Sequence, residues 1–140
     1  MNFLSTAGSY TISSDGTGVL RVGNVDNQST SLQTFEIPLE FQNKETVLAG
    51  GPIQFNQAVT TKTGNNELTF TGSSEIIAGA DNIFDGTIDL FLSGTTLNLS
   101  NTNQSFTSIS ISGDSVIDFG GSDASINLDF LDVQGGTLTV

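Results

Sequence analysis

Apolar and polar residues alternate in short bursts along this chain, and the bursts become regular in its second half. Ile88-Asp89-Leu90, Leu97-Asn98-Leu99, Ile109-Ser110-Ile111, Ile117-Asp118-Phe119, Ile126-Asn127-Leu128, Leu131-Asp132-Val133 and Leu138-Thr139-Val140 are variants of one phrase, separated by Gly, Asn, Asp and Ser. A period of two places Ile, Leu, Val and Phe on one side of a strand and Asp, Asn, Ser and Thr on the other. Many such strands with tight turns between them predict a coil that stacks on itself. The steps from Leu97 to Ile117 and from Ile117 to Leu138 are 20 and 21 residues, in keeping with coils of about 20 to 25 residues that hold two or three strands each.

The first half carries the same signal less evenly. Strands are expected at Tyr10-Thr11-Ile12, Val19-Leu20-Arg21-Val22, Thr46-Val47-Leu48, Ile53-Gln54-Phe55, Leu68-Thr69-Phe70, Glu75-Ile76-Ile77 and Ile83-Phe84. Phe35-Glu36-Ile37-Pro38-Leu39-Glu40-Phe41 has four apolar residues in strict alternation and reads as one strand. Its Pro38 lacks an amide donor and must fall where a ladder position can be missed. Ser13 to Gly18 reads as a hairpin loop or a bend between solenoid strands, and Asn24 to Ser31 as a loop. Helical periodicity is absent, and Thr, Ser, Gly and Asn outnumber helix formers. The chain is therefore expected to be all-β, a parallel β-solenoid, with an antiparallel β-sandwich as the alternative. A sandwich favours hairpin dipeptides, yet Asn-Gly does not occur, and Asp-Gly occurs only at Asp15-Gly16 and Asp85-Gly86. One domain over residues 1–140 is expected, with 1–32 a less regular segment or cap.

Charge narrows the partners. The net charge is −12, from 15 acidic residues against Arg21, Lys44 and Lys62. Phosphate backbones and anionic lipid surfaces are bound through clustered Lys and Arg, so neither nucleic acid nor membrane insertion is expected. Cys and His are both absent, which removes thiolate and imidazole nucleophile systems and nearly every zinc, copper or haem site. The N-terminus lacks a basic stretch followed by an apolar core, so neither a signal peptide nor a membrane span is expected within these residues.

The residues from Leu97 through Asn103-Gln104-Ser105-Phe106-Thr107-Ser108-Ile109-Ser110-Ile111-Ser112-Gly113-Asp114-Ser115-Val116-Ile117-Asp118-Phe119-Gly120, with Leu128 to Val133 and Gly136-Thr137-Leu138-Thr139-Val140, resemble bacterial autotransporter-associated β-strand repeat proteins. Ile37 to Phe41 and Asn65-Asn66-Glu67-Leu68-Thr69-Phe70-Thr71-Gly72 look like earlier repeats of that family, so the resemblance covers roughly 33–140. It implies a right-handed parallel β-helix in a secreted or surface-displayed protein that acts as a stalk, adhesin or matrix component. It carries no catalytic residues.

Candidate chemistry is sparse. Polysaccharide-processing enzymes pair two carboxylates on one face. Asp89, Asp118, Asp129 and Asp132 should point outward, but separations of 29, 11 and 3 residues do not match one coil. They read as solvated acids, and no enzyme is expected. Gly120-Gly121-Ser122-Asp123-Ala124-Ser125-Ile126 is faintly similar to the nonapeptide of calcium-binding β-rolls, but without its recurrence or its key Gly and Asp it reads as a corner turn. Asp81, Asn82 and Asp85 do not have helix-loop-helix calcium spacing. Phe41, Phe55, Phe70, Phe119 and Phe130 fall on the apolar side of their strands and are expected in the core. Phe91, between Leu90 and Leu92, breaks the alternation and is a candidate exposed contact.

The function expected from these readings is a noncatalytic extracellular structural protein, secreted or at a bacterial cell surface, without cofactor or metal. Its expected partner is itself, by end-to-end stacking into an oligomer or filament, with Gly136, Thr137, Leu138, Thr139 and Val140 as the self-association segment. The alternative is an adhesin module that binds a glycan or host surface, with calcium assistance.

Overall fold

Each burst of alternation becomes one rung of a parallel ladder in the computed structural model, which describes residues 1–140. The first coil consists of β1 (Asn2–Phe3), β2 (Tyr10–Ser13) and β3 (Leu20–Val22). The second repeats it as β4 (Val25–Asn27), β5 (Gln33–Glu36) and β6 (Leu39–Phe41), and the third as β7 (Glu45–Ala49), β8 (Ile53–Phe55) and β9 (Val59–Thr61). Then follow β10 (Glu67–Thr71), β11 (Glu75–Ala78), β12 (Asp89–Ser93), β13 (Thr96–Asn98), β14 (Asn103–Ser112), β15 (Ser115–Asp118), β16 (Ser125–Val133) and β17 (Leu138–Thr139).

Successive coils stack face on face. The first face orders β1-β4-β7-β10-β12-β14-β16, the second β2-β5-β8-β11-β13-β15-β17, and the third β3-β6-β9. The third face passes Phe84, bridged to Val59, and continues in the opening halves of β14 and β16, where Asn103 to Phe106 pair with Ser125 to Leu128. Every pairing is parallel. The fold is a parallel β-helix, and the antiparallel sandwich is excluded. Seven rungs at about 4.8 Å make a stack on the order of 30 Å long.

Alternation explains the core. Val25, Val47, Phe70, Leu92, Ile111 and Val133 form one inward column on the first face. Ile12, Phe35, Phe55 and Ala78 form another on the second. An aromatic spine starts in this second column and crosses to the third face: Phe35 to Phe55 at 5.4 Å, Phe55 to Phe84 at 6.2 Å and Phe84 to Phe106 at 5.3 Å between ring centroids. Offset and edge contacts of this kind add to the burial of the rings.

Corners use residues the spacing alone does not reveal. Gly72 has φ +118°, and a Cβ there would lie 2.3 Å from the Ala49 carbonyl oxygen. Gly136, at the equivalent corner of the last coil, has φ +79° and packs on the backbone of Gly113. Buried amides close other corners. The Gln104 side chain donates to Ala80 O (2.7 Å) and Thr102 Oγ1 (2.9 Å), while its Oε1 accepts from the amides of Ile83 and Phe84. Asn27 donates to the carbonyls of Ser31 and Pro52 and accepts from the Ser29 amide.

Three expectations are corrected. Phe35 to Phe41 is not one strand: β5 ends at Glu36 and β6 starts at Leu39, with Pro38 at the corner, where no ladder donor is required and its carbonyl accepts from Leu20. Asn24 to Ser31 is not all loop, because Val25–Asn27 is β4, whose inward Asn27 is satisfied by corner carbonyls. Phe130 is not in the core. It is 60% exposed and pairs with Ser108, because β16 bends from the third face to the first at Asp129 and the bend resets the alternation. Phe41, Phe55 and Phe70 are buried, and Phe119 packs half-buried against the core. Residues 1–32 carry β1 to β3 and β4 in register with the coils that follow.

Candidate functional site

A solenoid buries its core by stacking, so exposed apolar surface concentrates where a coil has a neighbour on one side only. At one end, here the head, β1, β2 and β3 are edge strands; at the other, the tail, β16 and β17 are. The head exposes Met1, Leu4, Tyr10 and Val19, with Tyr10 stacked on Phe3 at 6.4 Å. The tail exposes Phe130, Leu131, Val133 and Val140. Leu131 and Val133 belong to inward columns that are buried one coil earlier as Ile109 and Ile111. On the third face the tail stops one strand short of the other two, at Ser125 to Leu128.

The segment singled out from sequence forms the second-face edge of this tail. Leu138 and Thr139 pair with Ser115 and Val116. Gly136 turns the corner, and Thr137 is tied on both sides: its amide donates to Asp114 Oδ1 (2.8 Å), and its carbonyl accepts from the Ser115 amide (2.9 Å). Val140 is 79% exposed. Sequence reasoning missed the rest of the tail, Ile126, Leu128, Leu131 and Val133, and the whole of the head. The signal was available for the tail, since in a solenoid the last stretch of one coil length must contribute every face of that end.

The outward carboxylates are dispersed, with one exception that sequence reasoning overlooked. Glu67 and Asp89 are Cα partners on adjacent coils, the only acidic pair brought into register by the ladders. Each is engaged sideways: Lys44 pairs with Glu67, and Ser108 Oγ donates to Asp89 Oδ1 at 2.7 Å. The four side chains form a polar rail down the outside of the first face, and no group of three or more acidic side chains converges to hold a metal. In the Gly120 to Ile126 corner, Asp118 accepts from the Gly120 amide, and the Asp123 amide donates to Asn101 Oδ1. Among the acids, Glu40 is held below the usual carboxyl range, first by the hydrogen bond from Gln42 and second by that from Arg21.

Phe91 projects outward from the first face, 37% exposed, between Thr69 and Ser110 on the neighbouring rungs. Ser93 on its own strand and Ser108 and Ser112 on the next surround it with hydroxyls. No protein-family model, curated protein or solved structure matches the chain.

Proposed function

We propose that this chain is a noncatalytic structural β-solenoid that builds a stalk, fibre or matrix by self-association. The observation that carries this reading is the stack itself: parallel ladders on every face enclose one continuous buried core of 25 residues, and no group of three or more acidic side chains converges on its outside. The lack of His and Cys and the sideways engagement of Glu67 and Asp89 favour a structural role over a catalytic one. An extracellular or cell-surface setting belongs to the same proposal and rests on the resemblance to autotransporter-associated repeats. Negative-stain electron microscopy of the purified chain at micromolar concentration in physiological salt tests it. Uniform filaments or oligomers a few nanometres across are the expected result, and isolated short particles at every concentration would overturn it.

A second reading rests on Phe91. An aromatic ring set among Thr and Ser hydroxyls on a flat sheet offers the stacking surface and hydrogen-bonding groups that a glycan uses. This adhesin reading predicts retention on a glycan array that is lost on Phe91→Ala, with calcium either required or irrelevant. An array blank with and without calcium rejects it.

A further inference from the structure

The outer surface of the first face differs from the rest of this acidic molecule. Alternation turns every second residue of β7, β10, β12, β14 and β16 outward, and the register aligns them in columns. Thr46, Thr69, Phe91 and Ser110 make the middle column, and Leu48, Thr71, Ser93 and Ser112 make the next. All eight are uncharged, in a chain of net charge −12. Over these strands the charges stand in the third column, where Lys44, Glu67 and Asp89 form the rail, and at Asp132 beside Ser110. The second face presents Glu36, Glu75 and Asp118, and the third Arg21 and Glu40. Between the first and last coils only Leu48 and Phe91 among large apolar residues are exposed, and both lie in the uncharged columns.

Resting on the self-association reading above, we infer that two copies pair laterally, the outer surface of one first face against that of the other. The occupant follows from charge. Copies of net charge −12 repel one another, and the two uncharged columns are the surface on which they can meet without setting carboxylates face to face. Interface cores are depleted of charge and enriched in aromatic residues, as this face is around Phe91. Short Thr and Ser side chains let two sheets approach at about 10 Å. Five rungs at about 4.8 Å and three columns about 6.6 Å apart make a face of roughly 24 by 20 Å. Two such faces remove on the order of 1,000 Å² from water, the lower limit for a specific joint, so the pairing is weak and reversible. A two-fold axis along β12 exchanges β7 with β16 and β10 with β14. It sets Thr69 and Thr71 opposite Ser110 and Ser112 of the other copy, Glu67 opposite Ser108, Asp132 opposite Thr46 and Phe91 opposite its own equivalent. Asp89 alone meets a like charge, at the margin, where each already accepts from Ser108. The joint closes as a pair and thickens a stalk or matrix sideways.

Sedimentation velocity across a concentration series, with circular dichroism to confirm the fold of each variant, tests the pairing. The expected result is a reversible monomer–dimer equilibrium that Phe91→Glu weakens by at least about tenfold and Asp89→Asn tightens several-fold. Thr34→Glu, which adds the same charge on the outside of the second face, should leave it unchanged. The chain contains no cysteine, so a single Ser93→Cys on the two-fold axis reports the joint by itself. A short bis-maleimide should link it to dimer and leave Thr34→Cys monomeric. Dimerisation that Phe91→Glu leaves intact, or Thr34→Cys linked as well as Ser93→Cys, overturns this face and leaves self-association standing through another surface. A chain that sediments as a monomer at every concentration overturns the self-association reading and this pairing together. A monomer that a glycan array retains through Phe91 does the same and gives the face to the glycan.

Discussion

The ring of Phe35 stacks on that of Phe55 at 5.4 Å between centroids and an interplanar angle of 28°, and the two residues are Cα partners on adjacent coils. Parallel pairing in register makes such like-on-like contacts inevitable wherever one coil repeats the residue type of the last. Phe55 sits at the centre of the spine, in contact with Phe35, Phe70 and Phe84. Phe55→Ala is therefore expected to destabilise the fold by about 3–5 kcal/mol. Phe91→Ala, on the outer face and 37% exposed, is expected to cost clearly less, about 1 kcal/mol. Urea unfolding followed by circular dichroism separates the two through the midpoint; comparable losses would contradict the placement of both rings.

Gly72 and Gly64 both have positive φ, but only Gly72 is hemmed in by a neighbouring coil. Gly64→Ala adds the strain of a left-handed residue alone, about 1–2 kcal/mol. Gly72→Ala, at φ +118°, is strained further from the left-handed region and also forces a Cβ onto the Ala49 carbonyl, so its cost should clearly exceed that range. The ratio of the two melting shifts checks the corner geometry, and equal shifts would refute it.

Gln104 is fully internal, and its Oε1 takes the amides of Ile83 and Phe84 at the one part of the third face that lacks a regular strand. Gln104→Leu fills similar space but leaves buried donors without a partner, at about 1–3 kcal/mol each. Amide exchange at Ile83 and Phe84 should accelerate well beyond that of Leu97 or Ile109 in the same variant. Uniform acceleration would indicate global unfolding and reject the local role.

Glu40 titrates below the ordinary carboxyl range because its charged form accepts hydrogen bonds from Gln42 and Arg21. A carboxyl lowered in the folded state contributes stability that is present above its unfolded value and lost as pH falls through the folded one. Gln42→Ala, which removes the largest single cause, and Arg21→Met, which removes a hydrogen bond and a nearby positive charge together, should each raise the Glu40 midpoint, as read by side-chain carboxyl NMR. A midpoint unmoved in both variants would discard these partners as the cause.

How far the sequence could be read varies from element to element. Ile76, Leu97 and Ile117 announce their strands and their inward direction by alternation alone, because a strand exposes opposite faces at successive residues whatever it packs on. The stretch from Phe35 to Phe41 alternates just as cleanly, yet turns a corner at Pro38, because a bend between two buried faces can preserve the alternation that a straight strand would show. Val25–Asn27 shows the converse: Asn27 points inward, and only the carbonyls of Ser31 and Pro52, the latter on the next coil, make a buried amide tolerable there. The segment Gly136 to Val140 was legible as a strand edge, while Leu131 and Val133 were placed beside it only by the register that sets them on Ile109 and Ile111.

The sequence by itself determined an all-β chain, the period of its coils, a net charge of −12, and the absence of imidazole and thiol side chains, since each depends on local spacing or on composition. Tertiary structure alone decided that Phe106 is buried while Phe130 is exposed, that Glu67 stands in register with Asp89, and which apolar rows lie open at head and tail. Those outcomes depend on where each coil bends and on which residue the next coil lays beside it. Residues some twenty positions apart become neighbours only through the register of the whole stack.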